Sequence, residues 1–344
     1  MLVRVWYVGR ESTVDLRPVG PSRMNVAPLA LGGNVFGWTA DEATSFRLLD
    51  AFVDAGGTMI DTADVYSAWA PGHVGGESEN VIGAWLKRDP AKRSRVIIAS
   101  KVGFLDGKIE ATSYDGKVTS GEYVAALDPK VIARGAEASL KRMGIDTIDL
   151  YYQHRDNPEV PLADSLGAFE TLRQAGKIRA TGLSNFEPAR VGEALATAAN
   201  EGIEPAVAVQ GWYNLVERSK YEGELQDVVT ARGLSFFSFY SLANGFLTGK
   251  YRSQEDFSKS VRGLRNVEYV GSDKGQAVLA ALDSVASETG AAMASVALAW
   301  TKVQPGVTAP IASATSERQL AELLAGMTLD LTPGQLDVIS QASD

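Results

Sequence analysis

The sequence predicts an α/β fold, namely a (β/α)8 TIM barrel with long loops at the carboxyl ends of its strands. Short apolar or β-branched runs alternate along the chain with longer segments of helical spacing, which is the pattern of parallel strands covered by helices. About eight such units occur within 344 residues, a length that favours closure into one barrel. An open doubly wound sheet is the alternative, because βα alternation alone does not distinguish the two.

The eight candidate strands are distributed between residues 27 and 312. They are residues 27–31, 58–61, 96–100, 148–152, 178–183, 207–210, 234–239 and 307–312.

Two of the segments between the strands have clear helix signals. Residues 41–56 open with an acidic turn and close on a glycine. In the other segment, Asp128 is the predicted cap, Pro129 the first helical residue and Gly144 the stop. Both segments are therefore predicted to be helices.

Two other segments are too long for ordinary βα loops, which have about 2 to 6 residues. Residues 103–127 are rich in Gly, Ser, Thr and Asp, and residues 251–274 mix arginines and lysines with acids. Both follow candidate strands, so both are expected over the same rim as lids or specificity walls.

The chain reads as one domain, residues 19–344, preceded by an N-terminal extension, residues 1–18, whose role and flexibility are left open. The extension lacks an apolar core of about 7 to 15 residues followed by a small-residue cleavage site, so it is not interpreted as a signal peptide. No run approaches the roughly 20 apolar residues of a membrane span. A cytoplasmic location is expected.

Composition limits the classes of molecule that the protein is expected to bind. The net charge is −9 with no long basic run, which argues against nucleic acid and anionic membranes. Zero cysteines exclude thiolate metal sites, and two histidines exclude a three-histidine zinc site, so no metal is expected. A G-x-G-x-x-G loop and a Walker A loop are both absent. A small-molecule partner is favoured, and an oligomer is left open, since nothing in the sequence indicates one.

Four polar residues stand where a barrel enzyme needs them. Asp61 and Tyr66 lie in MIDTADVY, Lys101 in IIASK and His154 in IDLYYQH. Three of them end candidate strands, and the carboxyl ends of parallel strands carry the chemistry of barrel enzymes. Taken singly, each residue also has an ordinary structural explanation. Asp61 fits a turn former and Tyr66 a packing residue. Lys101 fits a solvated charge and His154 a structural histidine. Their conjunction favours a catalytic site.

The chemistry of this set follows from residue type. A phenol with a pKa of about 10 is a poor acid at neutral pH. The Lys101 ammonium is expected to lower the pKa of Tyr66, while Asp61 keeps the amine charged and oriented. His154 is expected to donate a hydrogen bond that polarises a carbonyl oxygen. The set suits reduction of a carbonyl group by hydride.

Longer motifs carry a family resemblance. They are LALGGNVFG (29–37), IDTADVYS (60–67), GGESENVIGAWL (75–86), IIASKVG (97–103), SLKRMGIDTIDLYYQHR (139–155), GKIRATGLSNF (176–186), VQGWYNLVER (209–218) and LANGFLTGKY (242–251). The chain resembles an aldo-keto reductase from about Val19 to near its end. The spacing from Asp61 to Tyr66 and the SNF segment are specific to that family.

The resemblance implies a barrel that binds NADPH in extended form, with Tyr66 as proton donor, Lys101 and Asp61 tuning it, and His154 orienting the substrate. It also implies a set of cofactor-binding residues along one side of the rim. They are Gly33, Asn34, Ser184, Asn185, Gln210, Phe239, Tyr240, Ser241, Leu242, Gly245, Leu247, Lys250, Ser313, Ser316, Arg318, Gln319 and Glu322.

Within this set, Ser184, Asn185 and Gln210 are expected to hold the nicotinamide carboxamide. An aromatic residue is expected to stack on the ring. Phe239 is the choice and Tyr240 the register alternative, because the usual tyrosine-serine-proline-leucine is replaced here by FYSLA.

The pyrophosphate is expected along GFLTGKY. Backbone amides of Leu242, Gly245 and Leu247 would donate to phosphate oxygens, and Lys250 would add charge.

The adenosine end departs from the family pattern. Ser313 replaces a glycine, Thr315 and Ser316 stand at the usual basic positions, and Leu323 replaces an asparagine. Ser316, Arg318 and Gln319 at a helix N-terminus remain candidates for binding a phosphate. NADP(H) is therefore the expected cofactor, with NAD(H) left open.

The substrate pocket is expected to have aromatic walls, suited to a small aldehyde, a ketone or a sugar; its candidate residues are Trp38, Trp69, Phe104 and Trp212. Two other functions compete with a carbonyl reductase. One is a nicotinamide-binding regulatory or redox-sensing subunit. The other is a metal-dependent barrel enzyme, which is the weakest because mainly Asp61 and His154 offer ligands at adjacent strand ends.

Overall fold

The computed structural model describes residues 2–7, 10–103 and 127–344, with side chains from Val14 onward. Twelve strands lie within these residues. They are β1 (Leu2–Tyr7), β2 (Arg10–Asp15), β3 (Arg17–Pro18), β4 (Asn25–Val26), β5 (Ala30–Gly32), β6 (Met59–Asp61), β7 (Ile97–Val102), β8 (Ile148–Gln153), β9 (Ile178–Ser184), β10 (Ala208–Trp212), β11 (Ser235–Phe239) and β12 (Val307–Ala312).

Eleven α-helices occur in the same part of the chain. They are α1 (Glu42–Asp54), α2 (Glu77–Arg88), α3 (Pro129–Met143), α4 (Leu162–Gln174), α5 (Pro188–Glu201), α6 (Glu224–Ala231), α7 (Val267–Gly271), α8 (Asp273–Thr289), α9 (Met293–Thr301), α10 (Glu317–Thr328) and α11 (Pro333–Ala342).

Eight parallel strands close into a barrel, in the order β10-β11-β12-β5-β6-β7-β8-β9. The predicted (β/α)8 barrel is confirmed, and each predicted strand overlaps an observed one. The first strand differs most, since it was expected at 27–31 and runs from Ala30 to Gly32. Closure rules out the open doubly wound sheet, because β5 pairs with both β12 and β6.

The helix α3 shows how local sequence fixes an element. The Asp128 side chain accepts a hydrogen bond from the Lys130 amide, and Pro129 occupies the first turn. Gly144 ends the helix with φ of 63°, a left-handed conformation that glycine adopts without steric cost. Helical spacing places the buried residues on one face against the barrel; they are Ile132, Ala136, Ser139, Leu140 and Met143.

The barrel interior is filled by side chains from alternate strand positions. Small residues such as Ala99 and Ala208 lie beside the large rings of Tyr152 and Phe237. Gly182 makes room for Tyr152, because a Cβ there would lie 2.3 Å from Cε1 of the tyrosine ring. The interior is therefore a packed core, and barrels of this kind bind their ligands above it, at the carboxyl ends of the strands.

The short β3–β4 pair closes the opposite end of the barrel. Val19 and Val26 belong to the interior core cluster, and Arg17 donates to the carbonyl oxygen of Lys302 at 2.6 Å. Before the β3–β4 pair in the chain, β1 and β2 form an antiparallel hairpin.

One of the two long loops predicted at the rim lies within the described residues. Between β11 and α8 the chain forms 3₁₀ turns and α7, so the predicted loop at 251–274 contains short helices. Most of the predicted loop at 103–127 lies outside the described residues.

Candidate active site

The four polar residues meet at the carboxyl end of the barrel. Asp61 is the last residue of β6, Lys101 lies one residue before the end of β7, and His154 follows β8 directly. Tyr66 lies five residues beyond β6. Since β6, β7 and β8 are neighbours in the barrel, the structure brings together the residues that the sequence singled out.

Lys101 is the centre of the cluster and is fully buried. Its Nζ lies 2.8 Å from Oδ1 and 2.6 Å from Oδ2 of Asp61, and 2.8 Å from the hydroxyl of Tyr66. It also donates to the carbonyl oxygen of Thr62 at 2.9 Å. The ammonium is therefore fixed between a carboxylate and the phenol.

Asp61 is held from the far side of the barrel. Gln210, on β10, donates from Nε2 to Oδ1 of Asp61 at 2.9 Å, and the Tyr66 hydroxyl lies 3.4 Å from Oδ2. Gln210 was expected to hold the carboxamide of a nicotinamide. Its amide nitrogen positions the carboxylate of the cluster, and its contact with a carboxamide stays a prediction.

The environment of Tyr66 raises its pKa well above 10. Burial penalises the phenolate, and the negative charge of Asp61 adds to the effect. The expected lowering of the Tyr66 pKa is therefore wrong, because burial and the Asp61 carboxylate, 2.6 Å from the ammonium, outweigh the positive charge of Lys101. The phenol is protonated at neutral pH, which is the form that a proton donor needs.

His154 is neutral at physiological pH. Burial lowers its pKa well below 6.5, and the positive charges of Lys101 and Arg155 lower it further. Its ring centroid lies 6.0 Å from that of Tyr66. A neutral imidazole has one N–H to donate, so His154 suits a hydrogen bond to the same atom that Tyr66 would protonate.

Ser184 and Asn185 lie beside the cluster at the end of β9. Asn185 has φ of 57°, and its amide nitrogen donates to the carbonyl oxygen of His154 at 3.0 Å. Its backbone N–H donates to the carbonyl oxygen of Gln210 at 3.1 Å. Asn185 thus links the ends of β8, β9 and β10 while its side chain stays at the mouth.

The strand geometry shows which of the two candidate aromatic residues faces the barrel interior. Phe237 fills the barrel interior, and residues two apart on a strand share a face, so Phe239 also faces inward. Tyr240 follows with φ of 54° and is 37% exposed, and its carbonyl oxygen accepts from Asn214. The geometry favours Phe239 over Tyr240 as the ring at the barrel mouth.

The segment after β11 has a left-handed backbone. Ala243, Asn244 and Gly245 have φ of 46°, 55° and 94°. A Cβ on Gly245 would lie 2.8 Å from Cε of Lys250, so the glycine lets the lysine side chain lie against the backbone. An ammonium at this position fits an anionic group such as a pyrophosphate.

Two of the three amides expected to bind phosphate have partners within the loop. Gly245 and Leu247 donate to the carbonyl oxygen of Leu242, at 2.8 and 3.3 Å. These two N–H groups are engaged within the turn, and their contact with phosphate stays a prediction. Leu242 remains the candidate amide, with Lys250 and the buried Ser241, whose hydroxyl lies 3.0 Å from that of Ser238.

At the end of β12, Ser313 joins the first βα loop. Its hydroxyl donates to Oδ1 of Asn34 at 2.5 Å. The neighbouring Gly33 donates its backbone N–H to the carbonyl oxygen of Asp61 at 2.7 Å. The predicted residues Gly33, Asn34 and Ser313 therefore form one continuous strip beside the cluster.

The N-terminus of α10 is partly used by its own residues. Ser316 caps the helix by accepting from the Gln319 amide. Gln319 accepts from the Thr315 amide at 2.8 Å, so its side-chain oxygen is engaged. Arg318 has an 85% exposed side chain that lies 3.7 Å from Glu322. Of this group, Arg318 is the candidate for contact with a phosphate.

Aromatic residues line both sides of the mouth. Trp38 and Trp69 meet edge to face at 5.7 Å, and Trp69 lies 5.9 Å from Tyr66. On the other side, Trp212 lies 5.2 Å from Tyr240. The fourth predicted pocket residue, Phe104, lies outside the described residues.

The sequence interpretation missed a buried polar network behind Lys101. Glu79 on α2 is fully buried, and accepts from the Ser100 hydroxyl at 2.5 Å and from Arg142 at 2.6 Å. Ser100 precedes Lys101 on β7, so the network braces the strand that carries the lysine. An acid on the barrel-facing side of α2 was the available signal.

Within the described ranges, no group of three or more His, Asp and Glu side chains forms a possible metal site. Among the helices of the same ranges, none has the length and apolarity to cross a membrane.

Barrel, buried lysine–aspartate pair and rim tyrosine together define a (β/α)8-barrel enzyme. The chain belongs to the aldo/keto reductase family, whose model matches residues 28–344. It is 30% identical over 315 residues to the uncharacterized oxidoreductase YrpG of Bacillus subtilis (strain 168), covering 91% of each chain.

Two further relatives bear other names. A probable voltage-gated potassium channel subunit beta of Oryza sativa subsp. japonica is 29% identical over 333 residues, 95% of each chain. Aldo-keto reductase yakc [NADP(+)] of Schizosaccharomyces pombe is 27% identical over 314 residues, 90% of this chain and 85% of the relative.

Proposed function

We propose that the protein is an NADP(H)-dependent reductase of aldehydes or ketones, with keto-sugars among the candidate substrates. One observation carries the proposal: the buried ammonium of Lys101 contacts both the carboxylate of Asp61 and the hydroxyl of Tyr66. Family membership and the NADP(+) in the name of the yeast relative support it.

The bound dihydronicotinamide would supply the hydride to the carbonyl carbon. Tyr66 is protonated at neutral pH and would give its proton to the carbonyl oxygen. Lys101 would stabilise the phenolate that remains, and Asp61 keeps the lysine in place. The neutral imidazole of His154 would donate to the same oxygen and orient it.

The cofactor would lie along the rim from β9 to α10. Ser184 and Asn185 offer a hydroxyl and an amide for the carboxamide, and Phe239 offers a ring for stacking. Lys250 offers positive charge, and Leu242 a backbone amide, for the pyrophosphate.

Preference for the 2′-phosphate would rest on few groups. Arg318 is exposed in the first turn of α10, and Glu317 beside it is paired with Arg47 at 2.8 Å. We expect NADPH to bind more tightly than NADH in a fluorescence titration, and Arg318→Ala to reduce the difference. Equal affinities for both cofactors in the unmodified protein would contradict this assignment.

The alternative is a nicotinamide-binding regulatory subunit with slow turnover. The named potassium channel subunit beta of rice, similar over 95% of both chains, is the observation that favours it. The two functions differ in rate rather than in fold, so kinetics must decide.

The deciding experiment measures loss of the NADPH absorbance with a panel of aldehydes, ketones and keto-sugars, alongside cofactor affinity. Multiple turnover that is lost in Tyr66→Phe, with cofactor affinity retained, supports the reductase. Tight NADPH binding without turnover on the whole panel would instead favour the regulatory function.

A further inference from the structure

Trp212 has a polar atom that its surroundings do not satisfy. It is the last residue of β10 and shares its inward face with Gln210, two residues earlier. The indole Nε1 is buried and has no hydrogen-bond partner in the part of the chain that the structure describes. Buried N–H groups are nearly always paired, so this one is a candidate contact for a ligand.

The neighbours of the indole fix its position without accepting its proton. The ring of Tyr240 meets it edge to face at 5.2 Å, and Phe239 is its partner in the β10–β11 register. The ammonium of Lys220 lies 5.8 Å from the ring centroid. A ring and an ammonium offer no good acceptor, and the cation adds positive potential at this side of the mouth.

Trp212 also lies opposite the proton donor. In the closed barrel, β10 and β6 are four strands apart in either direction, so they face each other. One layer below the mouth, Gln210 reaches across and contacts Asp61 at 2.9 Å. A small molecule bound at Tyr66 would therefore extend toward the indole.

We propose that Trp212 is a specificity-determining residue, whose indole N–H binds an oxygen acceptor on the substrate other than the reacting carbonyl. The inference rests on the proposed reductase function. It assigns the substrate class as small carbonyl compounds that bear a second oxygen group. A carboxylate fits best, because hydrogen bonds to charged acceptors are stronger and Lys220 lies beside the ring.

The test uses three benzaldehydes of similar size, with a methyl, methoxy or carboxylate group at the 4-position. Trp212→Phe keeps an aromatic ring and removes the N–H. We expect the ratio of kcat/KM for the carboxylate over the methyl compound to fall about tenfold in this variant, the worth of one hydrogen bond to a charged acceptor. Trp212→Tyr, which offers a hydroxyl donor, should restore part of the ratio.

Trp69→Phe is the matched control, because it makes the same indole-to-phenyl change on the Tyr66 side of the mouth. It should leave the ratio unchanged. An unmodified protein that shows no preference for the oxygen-bearing aldehydes, or a Trp212→Phe variant that keeps the preference, would overturn the inference.

A second readout separates this inference from the reductase proposal. Dissociation constants of the three product alcohols, measured by calorimetry with cofactor present, should show the same Trp212-dependent ratio. If that ratio appears while none of the aldehydes turns over, the reductase proposal fails and the acceptor site at Trp212 stands.

Discussion

The buried pair of Asp61 and Lys101 gives the sharpest stability prediction. Both residues are essentially inaccessible to solvent, and their closest charged atoms lie 2.6 Å apart. Asp61→Asn keeps the shape of the side chain and removes the negative charge. The ammonium is then left buried without a counterion, which typically costs about 3 to 5 kcal/mol.

The geometry of the pair narrows the expected loss in the free energy of unfolding. At an effective dielectric constant of about 20, the lost attraction across 2.6 Å is about 6 kcal/mol. Lys101 escapes part of that cost by losing its proton. At pH 7, deprotonating a lysine with a reference pKa of about 10.4 costs about 4.6 kcal/mol, which sets the ceiling. We therefore expect Asp61→Asn to lower the free energy of unfolding by about 3 to 4.6 kcal/mol.

The pH dependence identifies the cause. Asp61 raises the pKa of Lys101 against the lowering effect of burial, so its removal lowers that pKa further. The unfolded chain then binds a proton that the folded variant lacks, and stability rises with pH. Between pH 7 and 9 the deficit of the variant should shrink by up to about 1.4 kcal/mol per pH unit.

The assay is urea unfolding followed by tryptophan fluorescence, at pH 7 and pH 9. Glu317→Gln is the control, because it breaks the exposed pair with Arg47 and should cost less than about 1 kcal/mol at either pH. An Asp61→Asn deficit as small as that of the control, or one that does not change with pH, would refute the reasoning.

Two further predictions follow from burial. Burial lowers the pKa of His154 well below 6.5, so its imidazole stays neutral in the folded protein. Below about pH 6.5 the unfolded chain therefore binds a proton that the folded protein does not bind. As the pH falls below about 6.5, the unmodified protein should lose up to about 1.4 kcal/mol of stability per pH unit relative to His154→Gln. Urea titrations in which the unfolding free energies of the two proteins change with pH in parallel would contradict this. Gly182→Ala should destabilise the protein by about 1 to 3 kcal/mol, because the new Cβ meets the Tyr152 ring at 2.3 Å, whereas Gly167→Ala, with open space around the Cβ, should not. Equal melting temperatures for both alanine variants would contradict this prediction, because the Tyr152 ring would then move aside without a cost in stability.

The fold was predictable because periodicity and strand ends are local properties. Each apolar run became a barrel strand, and the caps at Asp128 and Gly144 took the expected roles. The meeting of Asp61, Lys101 and His154 followed from the same logic, because the carboxyl ends of neighbouring parallel strands share a rim.

Contacts between distant elements were beyond reach of the sequence. The bond from Gln210 to Asp61 depends on the diameter of the closed barrel, which no local pattern encodes. The pKa of Tyr66 depends on the balance between burial and two opposite charges, and burial prevails. The hydrogen bonds of Gly245 depend on how tightly its turn closes.

The proposed hydride transfer to a carbonyl carbon is tested most directly by isotope transfer. NADPH deuterated at the transferable C4 position is mixed with an aldehyde that turns over, and the alcohol is analysed by mass spectrometry and NMR. We predict one deuterium on the carbinol carbon, with the product formed about 10²- to 10⁴-fold more slowly by Tyr66→Phe at unchanged cofactor affinity. An alcohol without deuterium at that carbon, or equal rates for the two proteins, would contradict the account.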